Sequence, residues 1–174
     1  MGVVLRNLQN VVPLRRARLR KDVETLRHIL GIQKFDLGVI CVDNRKIQRI
    51  NNIYRKKNMP TDVLSFPFYE ELRPGKLPCP LYRDELNLGD IFLGVEYVMK
   101  QCQQQSQDLH GILTSVTAHG ICHLLGYRHE TEEEWKEVWM IIKSAKVQHF
   151  FNERFPFNSC ISVLPDAAEG KLHT

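Results

Sequence analysis

Apolar and polar positions along the chain alternate between two periods, and the switches between them mark interleaved strands and helices. Val3 to Gln9 is a short apolar-rich run closed by Asn10 and Pro13, and it reads as a strand. Leu19, Val23, Leu26 and Leu30 recur at helical spacing, and Gly31 follows as a stop. Phe35 to Val42 is β-branched and apolar with Gly38 inside it, a second strand. Asp43 is placed to cap a helix whose apolar positions are Ile47, Ile50 and Tyr54, and Asn58, Met59 and Pro60 break it. Asp62 to Phe66 reads as a short strand ended by Pro67, and Asn87 to Gly94 as another. Residues 95–106 read as a helix closing in a Gln-rich turn.

From Asp108 onward the period is helical again. Leu109, Ile112, Val116, His119 and His123 fall on one side of a single helix, so the two histidines continue an apolar stripe and point inward. Thr131 with Glu134 makes a capping box, opening a helix lined by Trp135, Val138, Trp139, Ile142 and Ala145. Between the strands, residues 68–87 carry Pro74, Gly75, Pro78 and Pro80 and form the longest irregular stretch. Periodicity ends after Pro156. The expected architecture is therefore one α+β domain over residues 1–155, a mixed sheet of about four strands with about five helices. Residues 156–174 form a tail of loop or disorder.

Composition narrows the class of protein. The 174 residues suit one domain, and 43% hydrophobic with 25% charged residues is ordinary for a folded globule. No apolar run reaches the roughly 18 residues of a membrane span, so no membrane role is expected. A formal charge of +4 allows an anionic partner without demanding one. Five cysteines, Cys41, Cys79, Cys102, Cys122 and Cys160, lie far apart with no C-x-x-C pair, which argues against a disulfide framework and for a reducing compartment. The first 21 residues hold Arg6, Arg15, Arg16, Arg18, Arg20 and Lys21, with no acid before Asp22. That pattern is similar to a mitochondrial presequence, and equally to a basic first strand and helix of the fold. Both hold if the address is read from a retained N-terminus; cytoplasm or nucleus is the alternative location.

The segment His119-Gly120-Ile121-Cys122-His123-Leu124-Leu125-Gly126-Tyr127-Arg128-His129 carries the chemistry. His119 and His123 are one helical turn apart, so their rings share a face. Gly126 can take the positive φ that ends a helix, which returns the chain and brings His129 back as a third nitrogen. Three neutral imidazoles with an open fourth position are what a catalytic zinc site needs. Every His and the Gly match the H-E-x-x-H-x-x-G-x-x-H frame of the metzincin proteases, but the general-base Glu of that frame is Gly120 here. The cage for one Zn2+ per chain is kept and the protease base is missing. Cys122 beside the pair reads as a packing residue.

Residues 44–61 contain no acid and six cations, Arg45, Lys46, Arg49, Arg55, Lys56 and Lys57. Such a run is commonly just a solvated helix face, but Arg with nearby Lys also suits phosphate. Tyr54-Arg55, then Met59-Pro60-Thr61-Asp62-Val63-Leu64-Ser65-Phe66-Pro67, then Leu88-Gly89-Asp90-Ile91, then the His119–His129 segment, resemble the YbeY family of metal-dependent endoribonucleases. The resemblance spans residues 3 to 153. It implies a zincin-like α+β fold, zinc on His119, His123 and His129, and a role in ribosomal RNA maturation beside a small ribosomal subunit protein. It implies activity carried by Arg55 and His119. Arg128 stands where the family usually has Asp, which adds a cation in place of a carboxylate.

The expected function is zinc-dependent endoribonucleolytic cleavage of single-stranded RNA. Arg55 would stabilise charge on the reacting phosphoryl group, and Arg49, Lys56 and Lys57 would track the backbone. Two alternatives stand beside it. One is a zinc-bearing ribosome assembly factor with little catalysis. The other is a metalloprotease, which would need its carboxylate from elsewhere, such as Glu130.

Overall fold

Four strands make one mixed sheet: β1 (Val3–Asn7), β2 (Asp36–Val42), β3 (Val63–Pro67) and β4 (Asn87–Gly94), in the spatial order β1-β2-β4-β3. The structure, a computed structural model, describes residues 2–128, 131–133, 136 and 140. β1, β2 and β4 run parallel, and β3 joins β4 antiparallel at the edge. Pro67 ends that edge strand, where the missing N–H leaves no ladder bond broken.

Four α-helices accompany the sheet among the described residues: α1 (Arg16–Ile29), α2 (Asn44–Arg55), α3 (Val95–Gln105) and α4 (Leu109–Leu124). The two-residue period of the strands decides the layers. Leu5, Val39, Cys41, Ile91 and Leu93 face one core with side chains from α1, α3 and α4. Val42 and Leu64 face the other way and meet Ile47 of α2. The helix starts follow their caps: Asp43 accepts from the amide of Lys46 at 2.8 Å, and Asp108 from that of Gly111 at 3.0 Å. No helix of the described residues is long and apolar enough to cross a membrane.

The α+β expectation holds, with differences in detail. β1 stops at Asn7 rather than Gln9, because Gln9 turns in to bond Val12 through both its side-chain oxygen and nitrogen. The stretch 68–86 is irregular as expected, broken by a 3-10 turn at Arg83–Glu85. α4 is not one-sided: every residue from His110 to Cys122 is buried, together with Leu124. It lies between the sheet and the α1 and α3 helices, so both of its sides are core. The fifth helix expected around Trp135 to Ala145, and the tail 156–174, lie outside the described residues. The N-terminal cations Arg6, Arg16, Arg18, Arg20 and Lys21 all sit on β1 or α1, so they belong to the folded domain.

Candidate metal centre and nucleic-acid interface

α4 is the inner helix, and its last two turns carry the two described histidines of the motif. His119 is buried and His123 half-buried. Their Nε2 atoms stand 2.9 Å apart, with the rings edge to face at a centroid distance of 4.6 Å. The helix ends as Gly126 predicts. Gly126 takes φ +90°, its amide donates to the carbonyl of His123, and the amide of Tyr127 donates to that of Cys122, both at 3.1 Å. A side chain at 126 would also collide with the carbonyl of Leu72, because the long loop lies against this turn.

The turn fixes the chemistry of His123. It brings the carbonyl oxygen of Tyr127 to 3.0 Å from Nδ1. A carbonyl only accepts, so Nδ1 carries the proton and Nε2 presents its lone pair toward His119. This is the arrangement by which metal-binding imidazoles are held in one tautomer. Two nitrogens each about 2.0–2.1 Å from a tetrahedral zinc lie about 3.3 Å apart. The observed 2.9 Å is therefore within a small ring rotation of a shared ion. The donor set fits zinc as far as it is described. His129, the expected third ligand, lies outside the described residues, and among those residues no group of three metal-binding side chains is assembled.

Cys122 is not available as a thiolate. Burial pushes its thiol up to about 12, so it packs rather than ligates. Gly120 explains the missing protease base. A Cβ at this position would stand 3.1 Å from Cγ2 of Ile91 and 3.2 Å from Oγ of Ser65, so this side of α4 is pressed onto the sheet. Glu130, the substitute carboxylate considered for a protease, lies outside the described residues.

The basic segment occupies the other layer. α2 ends at Arg55, and Lys56 closes it in the left-handed region at φ 55°, with its amide donating to Asn52 at 3.1 Å. Buried Asn51 donates from Nδ2 to the carbonyl of Met59 at 2.9 Å and clamps the following loop to the helix. Arg55 and Lys56 are exposed and Lys57 is half-buried. None of the six cations between 44 and 61 makes an ion pair among the described residues. Arg49 is also exposed, but six residues before Arg55 place it roughly 120° around the helix, on the outer row with Arg45.

Edge strand β3 joins the two halves of the site. On one side the ring of Phe66 meets Tyr54 at 4.9 Å, next to Arg55. On the other, Ser65 donates from Oγ to the carbonyl of Gly120 at 3.1 Å, next to His119. Sequence reasoning missed Ser65, Asn51 and the Tyr127 carbonyl. Ser65 had a signal, a lone polar residue inside Val63-Leu64-Ser65-Phe66, whereas a backbone carbonyl leaves none. Tyr54, one of the apolar positions of α2, is 67% exposed. It shares the stripe of Ile47 and Ile50, but its ring lies against Phe66 on edge strand β3 and stays largely in solvent. Arg128 is exposed.

The sequence profile described as Endoribonuclease YbeY matches residues 5–149. A human protein named Endoribonuclease YbeY is 58% identical over 145 residues, covering 83% of this chain and 86% of its own. One of that name from Borreliella burgdorferi is 39% identical over 123 residues, covering 70% and 77%. One from Acinetobacter baumannii is 37% identical over 122 residues, covering 70% and 74%. The solution structure of TM1509 from Thermotoga maritima matches with a TM-score of 0.55 and 23% identity, over 87% of this chain and 90% of that one, a likeness of fold.

Proposed function

Because the chain belongs to the YbeY family of endoribonucleases, we propose that it is a zinc-dependent enzyme that hydrolyses phosphodiester bonds in single-stranded RNA. The observation that carries this reading is the pair of imidazole nitrogens 2.9 Å apart, one locked in its tautomer by the Tyr127 carbonyl. His119 and His123, with His129 completing the set, would hold the ion. When bound, zinc supplies a Lewis acid for a phosphoryl oxygen and lowers the pKa of water toward ~7.

The remaining work falls to the protein's own groups. Arg55 at the end of α2 presents a guanidinium that no described carboxylate neutralises, suited to the charge that builds on phosphoryl oxygens. Lys56 and Lys57 follow it on a clamped turn and would hold flanking phosphates, giving salt-dependent, mostly sequence-blind affinity. Arg49 sits further round α2 and would act at longer range. No described helix is presented for reading a groove, which favours single strands.

The wider reading is maturation of ribosomal RNA beside a small ribosomal subunit protein, in the mitochondrion. The acid-free basic N-terminus supports that location, and because its cations sit on β1 and α1 the address would be a retained one. The catalytic domain is taken as residues 1–155. The rival reading, a zinc-bearing assembly factor with little catalysis, is separated by the same assay.

That assay is cleavage of a single-stranded RNA by wild type with and without chelator, and by Arg55→Glu shown to retain its metal. Chelation should abolish cleavage, and Arg55→Glu should lower it by roughly a hundredfold or more. Cleavage unaffected by chelator removes zinc from the mechanism, and full activity in Arg55→Glu removes Arg55. Stable RNA or ribosome binding with no turnover would favour the assembly factor.

A further inference from the structure

Tyr54 lies on the sheet-facing stripe of α2, yet its side chain is not part of the core. It is 67% exposed, while Ile47 on the same stripe is fully buried. Its ring meets Phe66 at 4.9 Å and 70°, and Phe66 meets Phe92 at 5.6 Å and 86°. A chain of three edge-to-face rings thus runs from the sheet to the surface and ends at the exposed Tyr54. A lone exposed aromatic is ordinary. This one is fixed by a neighbouring ring, and it is followed directly by Arg55, Lys56 and Lys57 in a segment with no acid from 44 to 61.

Resting on the reading of this site as RNA-cleaving, we propose that Tyr54 is a stacking platform for one nucleobase of a single-stranded substrate, beside the phosphate held by Arg55. The chemistry matches on both counts. Every base has a π face, so an open aromatic ring binds without sequence preference, and cations flanking the ring take the phosphates on either side. Rigidity adds to it. The Lys56 turn and the Asn51 clamp on Met59 fix the backbone that carries the cations beside the ring, so less freedom is lost when the strand arrives. The segment's charge selects an anionic strand over an apolar partner, although Ile53 and Met59 are exposed nearby.

The test compares wild type, Tyr54→Phe, Tyr54→Leu and Tyr54→Ala for binding to a single-stranded oligoadenosine and to an abasic ribose-phosphate oligomer of equal length. Tyr54→Phe should bind both within about twofold of wild type, because the hydroxyl does not stack. Tyr54→Leu and Tyr54→Ala should weaken oligoadenosine by roughly five- to a hundredfold and leave the abasic oligomer unchanged. Leu retains an apolar contact with Phe66, so it carries the result should the Ala variant fold poorly. Equal loss on both oligomers, or no loss in Tyr54→Leu, overturns the platform while wild-type cleavage still stands. Wild type that neither binds nor cleaves RNA overturns the underlying reading as well.

Discussion

The hydroxyl of Ser65 donates to the carbonyl of Gly120 at 3.1 Å, binding the edge strand to the histidine helix at the residue after His119. The same hydroxyl stands 3.2 Å from where a Cβ of residue 120 would be. The position that carries the base in the protease frame is thus occupied by helix-to-sheet packing.

Restoring the protease frame should therefore harm the protein without making it a protease. Gly120→Ala gains about 1 kcal/mol of helix propensity but must move Ile91 or Ser65, and overpacking of that kind costs about 1–3 kcal/mol. A net loss of about 1 kcal/mol in urea unfolding is expected. Gly120→Glu also buries a carboxylate, and several kcal/mol are lost. Casein hydrolysis above background by a Gly120→Glu variant as stable as wild type would contradict this account.

Binding of metal to the folded state alone should raise its stability. At a hundredfold excess of free zinc over its Kd the gain is about 2.7 kcal/mol. In a chain of this size that corresponds to roughly 5–10 °C in Tm. His119→Ala and His123→Ala should lose both the shift and the co-purifying zinc. An undiminished shift in either variant would place the ion elsewhere.

The fold was legible where one physical rule acted alone. β4 was read at its bounds because Asn87 and Gly94 are turn residues around Leu88 and the apolar run Ile91-Phe92-Leu93. Gly126 was read correctly because only its backbone freedom suits the turn. Tyr54 was legible as part of the apolar stripe, but not its exposure, since periodicity reports which side of a helix a residue is on and not what lies opposite it. α4 was read from one stripe, Leu109, Ile112, Val116, His119 and His123, whereas Thr114, Ser115 and Thr117 on its other side are buried as well. Two of those hydroxyls are satisfied within the helix: Thr114 donates to the carbonyl of His110 at 2.8 Å, and Thr117 to that of Leu113 at 2.6 Å. The imidazole pair was legible as spacing. Its tautomer was not, since that depends on a backbone carbonyl.

The turn after α2 offers a case in which stability and affinity part ways. Lys56 and Ser106 are the described non-glycine residues at positive φ, 55° and 53°, each closing a helix. Left-handed backbone costs a side-chain-bearing residue about 1–2 kcal/mol, and glycine returns part of that through its flexible unfolded state. Lys56→Gly and Ser106→Gly should each stabilise by roughly 0.5–1 kcal/mol. Only Lys56→Gly should weaken RNA binding, and it should lower the salt slope by about one. Weakened binding in both variants would mean that the helix ends, rather than the Lys56 charge, govern affinity.

His110 should make the fold sensitive to mild acid. The amide of Arg15 donates to its Nε2 at 3.2 Å, so that nitrogen must keep its lone pair for the contact to exist. Burial lowers its pKa first, the Arg18 charge adds to this, and Asp108 opposes it in part. In the unfolded chain the ring takes its proton as pH falls through about 6.5. In the folded chain it does so only at lower pH. The unfolded state therefore binds more protons in that interval, and stability falls with pH below about 6.5, while above it the ring is neutral in both states and contributes no slope. His110→Gln keeps an acceptor for Arg15 and removes the titration. Unfolding free energies measured from about pH 7 down to about pH 5 should fall more steeply for wild type, with a slope difference of at most about 1.4 kcal/mol per pH unit. Parallel curves for the two proteins would show that the folded and unfolded chains protonate this ring alike, and that the α1–α4 joint does not sense pH through it.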